Sequence, residues 1–273
     1  MSNPLPPFHL INTNRTLIHL SWDSLYETEL TNHSENPSDE GTVWFDDSDA
    51  QEKIVAFLDE RATDGDFGLS DRGAAKLLDL GCGNGSLLFA LADDGWGIEQ
   101  TNGGRLLGVD YSERSVELAR QVGKVRRGQA EEEEEGTEQK GEMEFQAWDV
   151  LRGDVNALQT PGTDLQAYAG WDVVLDKGTF DAVSLSAEQD SQGRRICEGY
   201  GERVLQLLRT GGIFVVTSCN WTEKELRDWF EVKTEGPGGE RLRLAGRIEY
   251  RSFSFGGVKG QTISTLCFEK VVA

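Results

Sequence analysis

Three glycines alternate with other residues in Asp79-Leu80-Gly81-Cys82-Gly83-Asn84-Gly85-Ser86, after the apolar pair Leu77-Leu78 and before a helical pattern that begins at Leu87. The order is strand, tight turn, helix. Glycine takes positive φ without strain, and its missing Cβ lets a ligand lie against the backbone. The helix that follows offers unpaired N–H groups at its start. A nucleotide-type ligand suits such a turn. Dinucleotide sites carry G-x-G-x-x-G here, with a pyrophosphate on the helix N-terminus. In this chain the glycines read G-x-G-x-G, Ser86 takes the sixth position, and Asp79 stands two residues ahead of the first glycine. A carboxylate there repels a pyrophosphate and suits an ammonium group. The plain alternative is a Gly-rich turn with no ligand.

Further acids close the other apolar runs. Arg105–Asp110 reads as a second strand ending in an acid, and Ser112 caps a helix over Glu113–Val122. Met143–Ala147 is a third strand, followed by Trp148-Asp149-Val150. Trp171–Asp176 is a fourth and Ile213–Thr217 a fifth, separated by a helix over Arg195–Arg209 that Gly211-Gly212 ends. Thr222 and Glu225 form a capping box. Gly246 to Val271 reads as two long strands turning at residues 256–260. Alternating strands and helices imply an α/β fold with a parallel sheet and right-handed crossovers. The last pair must include an antiparallel strand, because its connection is too short for a crossover. Ligands of open α/β sheets lie at the C-terminal ends of the strands, and Asp79, Asp110, Asp149 and Asp176 all fall at or just past such ends.

The turn at Gly81, Gly83 and Gly85 resembles motif I of the class I S-adenosylmethionine-dependent methyltransferases. The strand order resembles their Rossmann-like seven-strand sheet, mostly parallel with an antiparallel C-terminal hairpin and helices on both faces. The resemblance implies S-adenosyl-L-methionine as cofactor. Gly81, Cys82, Gly83 and Gly85 then pass under its methionyl part, and Asp79 receives its ammonium directly or through water. Asp110 accepts from the ribose hydroxyls, as an acid does in dinucleotide enzymes too, and Tyr111 lies against the adenine. Asp149 accepts from the adenine amino group, with Trp148 and Val150 flanking the ring. Asp176 borders the reaction centre. Where methyltransferases of nucleic-acid amines carry N/D-P-P-Y, this chain has Asp176-Lys177-Gly178-Thr179-Phe180.

A narrower resemblance rests on Trp22-Asp23-Ser24-Leu25-Tyr26-Glu27-Thr28-Glu29-Leu30, Gly41-Thr42-Val43-Trp44-Phe45, Leu175 to Leu185, Thr217-Ser218-Cys219-Asn220-Trp221-Thr222 and Phe253-Ser254-Phe255-Gly256-Gly257. Together these are similar to the elongation factor 1-alpha lysine methyltransferases related to methyltransferase-like protein 10 and its yeast counterpart, in order over residues 20–270. The resemblance implies methyl transfer to a lysine ε-amine of elongation factor 1-alpha in the cytoplasm. A lysine of ordinary pKa, about 10.4, is mostly protonated at neutral pH, and an apolar channel disfavours that charge. Tyr26, Trp44, Phe45 and Asn220 are candidates to line the channel, with Asp176, Phe180 and Trp221 at the reaction centre. The chemistry needs no metal. A small-molecule methyltransferase on the same fold, or a non-catalytic S-adenosylmethionine-binding partner subunit, are the alternatives.

Composition narrows the partners. The 27 basic and 48 acidic residues give a formal net charge of −21, which argues against a nucleic-acid backbone or an anionic membrane and suits a basic protein surface. Cys82, Cys197, Cys219 and Cys267 form no C-x-x-C pair, so a reduced intracellular protein is expected. The first 20 residues carry Pro4, Pro6 and Pro7 and no continuous apolar stretch, unlike a signal peptide. They read as an irregular extension, and residues 21–273 as a single domain, expected to be monomeric. A helix capped by Ser21 carries Trp22, Leu25, Tyr26 and Leu30 on one face. Residues 124–142, with five consecutive glutamates from Glu131 to Glu135, read as a disordered insertion.

Overall fold

The computed structural model describes residues 15–133, 143–159, 170–232, 236–255 and 258–272. Five strands run parallel in a single sheet: β1 (Lys76–Leu80), β2 (Arg105–Asp110), β3 (Glu144–Ala147), β4 (Trp171–Lys177) and β5 (Leu208–Ser218). Two more, β6 (Arg241–Ile248) and β9 (Ser264–Val271), join antiparallel, giving the order β3-β2-β1-β4-β5-β9-β6. This is the expected methyltransferase-type sheet. The order reverses between β1 and β4, and that switch point opens a crevice at the strand ends.

The central strands are apolar throughout because helices cover both faces of the sheet. Period-2 alternation splits them between two cores. Leu77, Val173, Leu175, Ile213 and Val215 face one side, packed with Ile54, Leu58, Leu88, Phe89 and Leu118. Leu78, Leu80, Val174, Phe214 and Val216 face the other, packed with Phe180, Tyr200, Val204, Leu226 and Phe230. The first core is covered by α2 (Ala50–Asp64), α3 (Ser86–Asp93) and α4 (Glu113–Glu133), the second by α5 (Thr179–Ser184), α6 (Tyr200–Leu207) and α7 (Glu223–Arg227). The capping box at Thr222 and Glu225 is present.

Several boundaries differ from the sequence reading. Helix α1 spans Arg15–Glu35, so Ser21 lies inside it and not at its start. No glycine or proline between Arg15 and Leu20 stops the helix from running back. Likewise α4 continues past Val122 to Glu133, so the first part of the expected disordered insertion is helical; residues 134–142 lie outside the described residues. Lys, Arg, Gln, Ala and Glu are good helix formers, and Arg126 anchors the extension. Its guanidinium donates to both carboxylate oxygens of Glu40 at 2.8 Å and lies 5.0 Å over the Phe89 ring.

Helix α6 starts only at Tyr200, after a single 3-10 turn, and Leu208 already belongs to β5. At the C-terminus, β6 begins at Arg241, and the turn placed at 256–260 falls within a separate two-stranded ribbon, β7 (Ser252–Phe255) and β8 (Val258–Gln261). Residues 256–257 themselves lie outside the described residues.

The Gly-rich turn is clamped from β2 and from the start of α5. The N–H groups of Gly81 and Cys82 donate to the Val109 carbonyl at 2.7 and 3.0 Å, and Thr179 Oγ1 donates to the Leu80 carbonyl at 2.7 Å. Gly81 has φ +73°, and a Cβ there would lie 1.9 Å from Thr179 Oγ1. Gly81→Ala is therefore expected to lower the unfolding free energy by roughly 2 kcal/mol or more, measured by denaturant titration of the ligand-free protein.

Candidate active site

One pocket opens over the strand ends at the switch point. Its floor passes from Trp148, Asp149 and Val150 after β3, to Asp110 and Tyr111 at β2, to Gly81, Cys82 and Gly83 after β1, and on to Lys177, Gly178 and Thr179 at β4. Its roof comes from the N-terminal segment: Trp22 and Tyr26 of α1, then Thr42 and Trp44. Glu29 of α1 holds the roof together by accepting from the Thr42 N–H at 3.0 Å, and Asn84 Nδ2 donates to the Glu40 carbonyl at 2.8 Å. The Trp22 and Trp44 rings lie 5.0 Å apart between centroids.

Gly83 makes the cradle. Its φ is +56°, its carbonyl accepts from Ser115 Oγ at 2.8 Å, and a Cβ there would meet the Tyr26 hydroxyl at 3.0 Å. Asp110 is 6% exposed and accepts from the N–H groups of Gly83 at 3.2 Å and Ser112 at 3.0 Å, one on each oxygen. A carboxylate has about four acceptor sites, so Asp110 keeps capacity for a ligand's hydroxyls. Burial raises its pKa, against the pull of those two N–H groups. Asp149 accepts from the Leu151 N–H at 2.8 Å, and Trp148 is fixed by its Nε1–H to the Asp154 carbonyl at 3.1 Å.

Of the residues expected at the cofactor, Gly81, Cys82, Gly83, Asp110, Tyr111, Trp148, Asp149 and Val150 line the pocket, and Asp79, Gly85 and Asp176 do not. Gly85 is glycine for packing: a Cβ there would meet the Phe145 ring at 2.8 Å and the Phe89 ring at 2.9 Å. Asp79 lies beneath the turn, 3% exposed.

Asp176 is 1% exposed and points away from the pocket into the second core. Its carboxylate accepts from the N–H groups of Thr179 at 2.9 Å and Phe180 at 3.0 Å, and from the Tyr200 hydroxyl. It therefore shapes the turn into α5 and is not placed to orient a substrate. Phe180 is fully buried among Tyr200, Trp229 and Phe230, with ring centroids 4.9–5.4 Å away. Trp221 packs on the same cluster and donates its Nε1–H to Ser184 Oγ at 2.9 Å, while Asn220 is exposed. None of these three lines the pocket. Of the expected channel residues, Tyr26 and Trp44 line it; Phe45 does not, and sits behind Gly178 with φ +63°.

Sequence reasoning missed Trp22, Thr42 and above all Lys177 as lining residues. Lys177 is the residue after the strand-end acid, and its position there was its only signal. Burial pushes its pKa down, and the charges of Asp79 and Asp176 pull it back up. Burial lifts Asp79 to about 7, Lys177 opposing and Asp110 adding to the rise.

A family model described as a methyltransferase domain matches residues 71–257. The chain is 37% identical to the protein-lysine N-methyltransferase EFM4 of Saccharomyces cerevisiae over 250 residues, 91% of this chain and 92% of that protein. It is 33% identical to the corresponding protein of Schizosaccharomyces pombe, over 91% of each chain. The chain belongs to this methyltransferase family. EEF1A lysine methyltransferase 2 of Danio rerio is a further member, 30% identical over 91% of this chain and 85% of its own length. The family's cofactor is S-adenosylmethionine, and the pocket fits it: a Cβ-free cradle at Gly83 next to a buried carboxylate with open acceptor capacity.

Asp176 is also lifted to about 7, chiefly by burial, with Tyr200 and the Phe180 N–H opposing. Asp79 and Asp176 thus hold their protons more tightly in the folded than in the unfolded chain. The stability they contribute is full below about pH 4, the ordinary carboxyl range, and is lost as pH rises through about 7. The thermal midpoint should be lower at pH 8 than at pH 5.5, and less so in Asp176→Asn, because an amide mimics the protonated acid. The same variant should keep near wild-type methyl transfer in single-turnover assays; a hundredfold loss with the fold intact would return Asp176 to the reaction centre.

Proposed function

We propose that this chain transfers a methyl group from S-adenosylmethionine to a lysine ε-amine of translation elongation factor 1-alpha, in the cytoplasm. The observation that carries this reading is the aromatic roof of Trp22, Tyr26 and Trp44 over the β1–β4 end of a nucleoside-type pocket, in a chain similar throughout to protein-lysine methyltransferases.

When bound, the cofactor supplies a methyl group already activated by its sulfonium. What remains for the protein is to bind, to align and to keep the amine neutral. Asp149 accepts from the adenine amino group between Trp148 and Val150, Tyr111 flanks the ring, and Asp110 accepts from the ribose hydroxyls. Gly81, Cys82 and Gly83 let the amino-acid part lie on the backbone. Asp79, which does not line the pocket, acts on the ammonium only through the charge of its ionised form. Tyr26, Trp44 and Trp22 wall the approach of the lysine. Their faces displace water, which lowers the pKa of an entering amine, and attract cationic groups. No carboxylate lines the β4 end of the pocket among the described residues.

Purified protein incubated with labelled S-adenosylmethionine and elongation factor 1-alpha should label the factor, and mass spectrometry should place the methyl on lysine. Label confined to small molecules would favour the other substrate class, and no transfer would favour a binding subunit. Gly83→Leu should abolish S-adenosylhomocysteine binding in calorimetry, because its side chain fills the cradle under Tyr26. Trp44→Ala should keep cofactor affinity within about threefold and lose turnover by roughly tenfold or more.

A further inference from the structure

Lys177 closes β4 and is one of the residues that line the pocket. Among the described residues it is the one cation lining that pocket. Its Nζ donates to the Trp44 carbonyl at 3.3 Å. An ammonium has three donors, and this one contact leaves Lys177 with donor capacity toward the pocket. A sequestered ammonium is costly unless it is paired. The negative charges of Asp79, Asp176 and Glu52 lie near it, yet the one hydrogen bond of its Nζ goes to a carbonyl, and Asp176 already serves Thr179, Phe180 and Tyr200. Lys177 thus has charge nearby but no carboxylate bonded directly to its ammonium.

The direction of the pocket says what answers it. The floor runs β3, β2, β1, β4 in space, carrying Asp149, Asp110, Gly83 and Lys177 in that order. On the function proposed above, the adenine end lies over β3 and the ribose over Asp110. The amino-acid end of the cofactor must then extend over β1 to β4. That end carries one ammonium and one carboxylate at neutral pH. Asp79 and Lys177 lie near each other at that end, and of the two only Lys177 lines the pocket, with the sign that suits a carboxylate.

We propose that Lys177 is a cofactor-binding residue whose ammonium pairs with the α-carboxylate of S-adenosylmethionine. The same ammonium holds the Trp44 carbonyl, so the residue that grips the cofactor also fixes one wall of the amine's approach. A charge-assisted hydrogen bond of this kind is worth about 10- to 100-fold in affinity.

Two ligands isolate the contact: S-adenosylhomocysteine, and its decarboxylated analogue, which keeps the ammonium and loses the carboxylate. Calorimetry on the full chain should show wild type binding the first at least tenfold more tightly. In Lys177→Met the affinity for S-adenosylhomocysteine should fall about 10- to 100-fold, while the decarboxylated analogue changes by less than threefold, so that the two ligands become nearly equal. Equal loss for both ligands, or no loss for either, overturns the proposal and leaves Lys177 a structural partner of Asp79. If Lys177→Met does not fold, Lys177→Arg takes its place: it should keep the wild-type preference for the carboxylate, and losing that preference overturns the anchor. Wild type that binds both ligands equally overturns it whatever the variants do. Wild type that binds neither ligand overturns the proposed function, and this anchor with it.

Discussion

Charge held out of water at the strand ends is the constraint on which the rest of the structure turns. Asp79, Asp110 and Asp176 close three neighbouring strands of one parallel sheet and are 3%, 6% and 1% exposed. A buried carboxylate is tolerated only when it is hydrogen-bonded, paired or protonated, and the three acids are satisfied differently. Asp110 takes backbone N–H groups from the Gly-rich turn and from the loop into α4. Asp176 takes those at the start of α5 together with the Tyr200 hydroxyl. Asp79 has the charge of Lys177 near it. The bonds of Asp110 and Asp176 fix the turns after β1, β2 and β4, and those turns supply much of the pocket floor.

That common setting also explains what the sequence made legible and what it hid. Alternating glycines after an apolar run, and acids closing successive runs, are properties of residue order, so Gly83, Asp110 and Asp149 could be placed without coordinates. Direction could not. In the β1–β4 ladder Asp79 pairs with Leu175 and Asp176 with Leu80, so the two acids are one residue out of step. Strand side chains alternate between faces, and the acids consequently point to opposite sides of the sheet. Asp176 enters the core beside Tyr200 and never meets the pocket. Register between strands distant in sequence decides this, and no local pattern carries it.

Aromatic residues divide along the same line. Phe180 and Trp221 follow strand ends as Trp44 follows none, yet it is Trp44 that reaches the pocket. Phe180 is the second residue of a short helix whose first N–H groups fold back onto Asp176, and its ring packs in the cluster with Phe230. Helix boundaries failed for a simpler reason. Composition marked residues 124–142 as unable to bury apolar surface, but Arg126 stacked on Phe89 and bonded to Glu40 needs only one well-placed side chain to carry α4 onward.

The roof and the floor of the site come from different parts of the chain. Asp79, Gly83, Asp110, Asp149 and Lys177 all fall inside residues 71–257, the stretch matched by the general methyltransferase domain, whereas Trp22, Tyr26, Thr42 and Trp44 precede it. The roof is joined to the floor through Asp23 with Ser112, Asn84 with the Glu40 carbonyl and Lys177 with the Trp44 carbonyl, with no strand pairing among the described residues. The two sides of the pocket are thus written in separable stretches of polypeptide. A lineage can exchange the leading segment, and with it the shape of the mouth, without moving a single ladder of the sheet that holds the methyl donor.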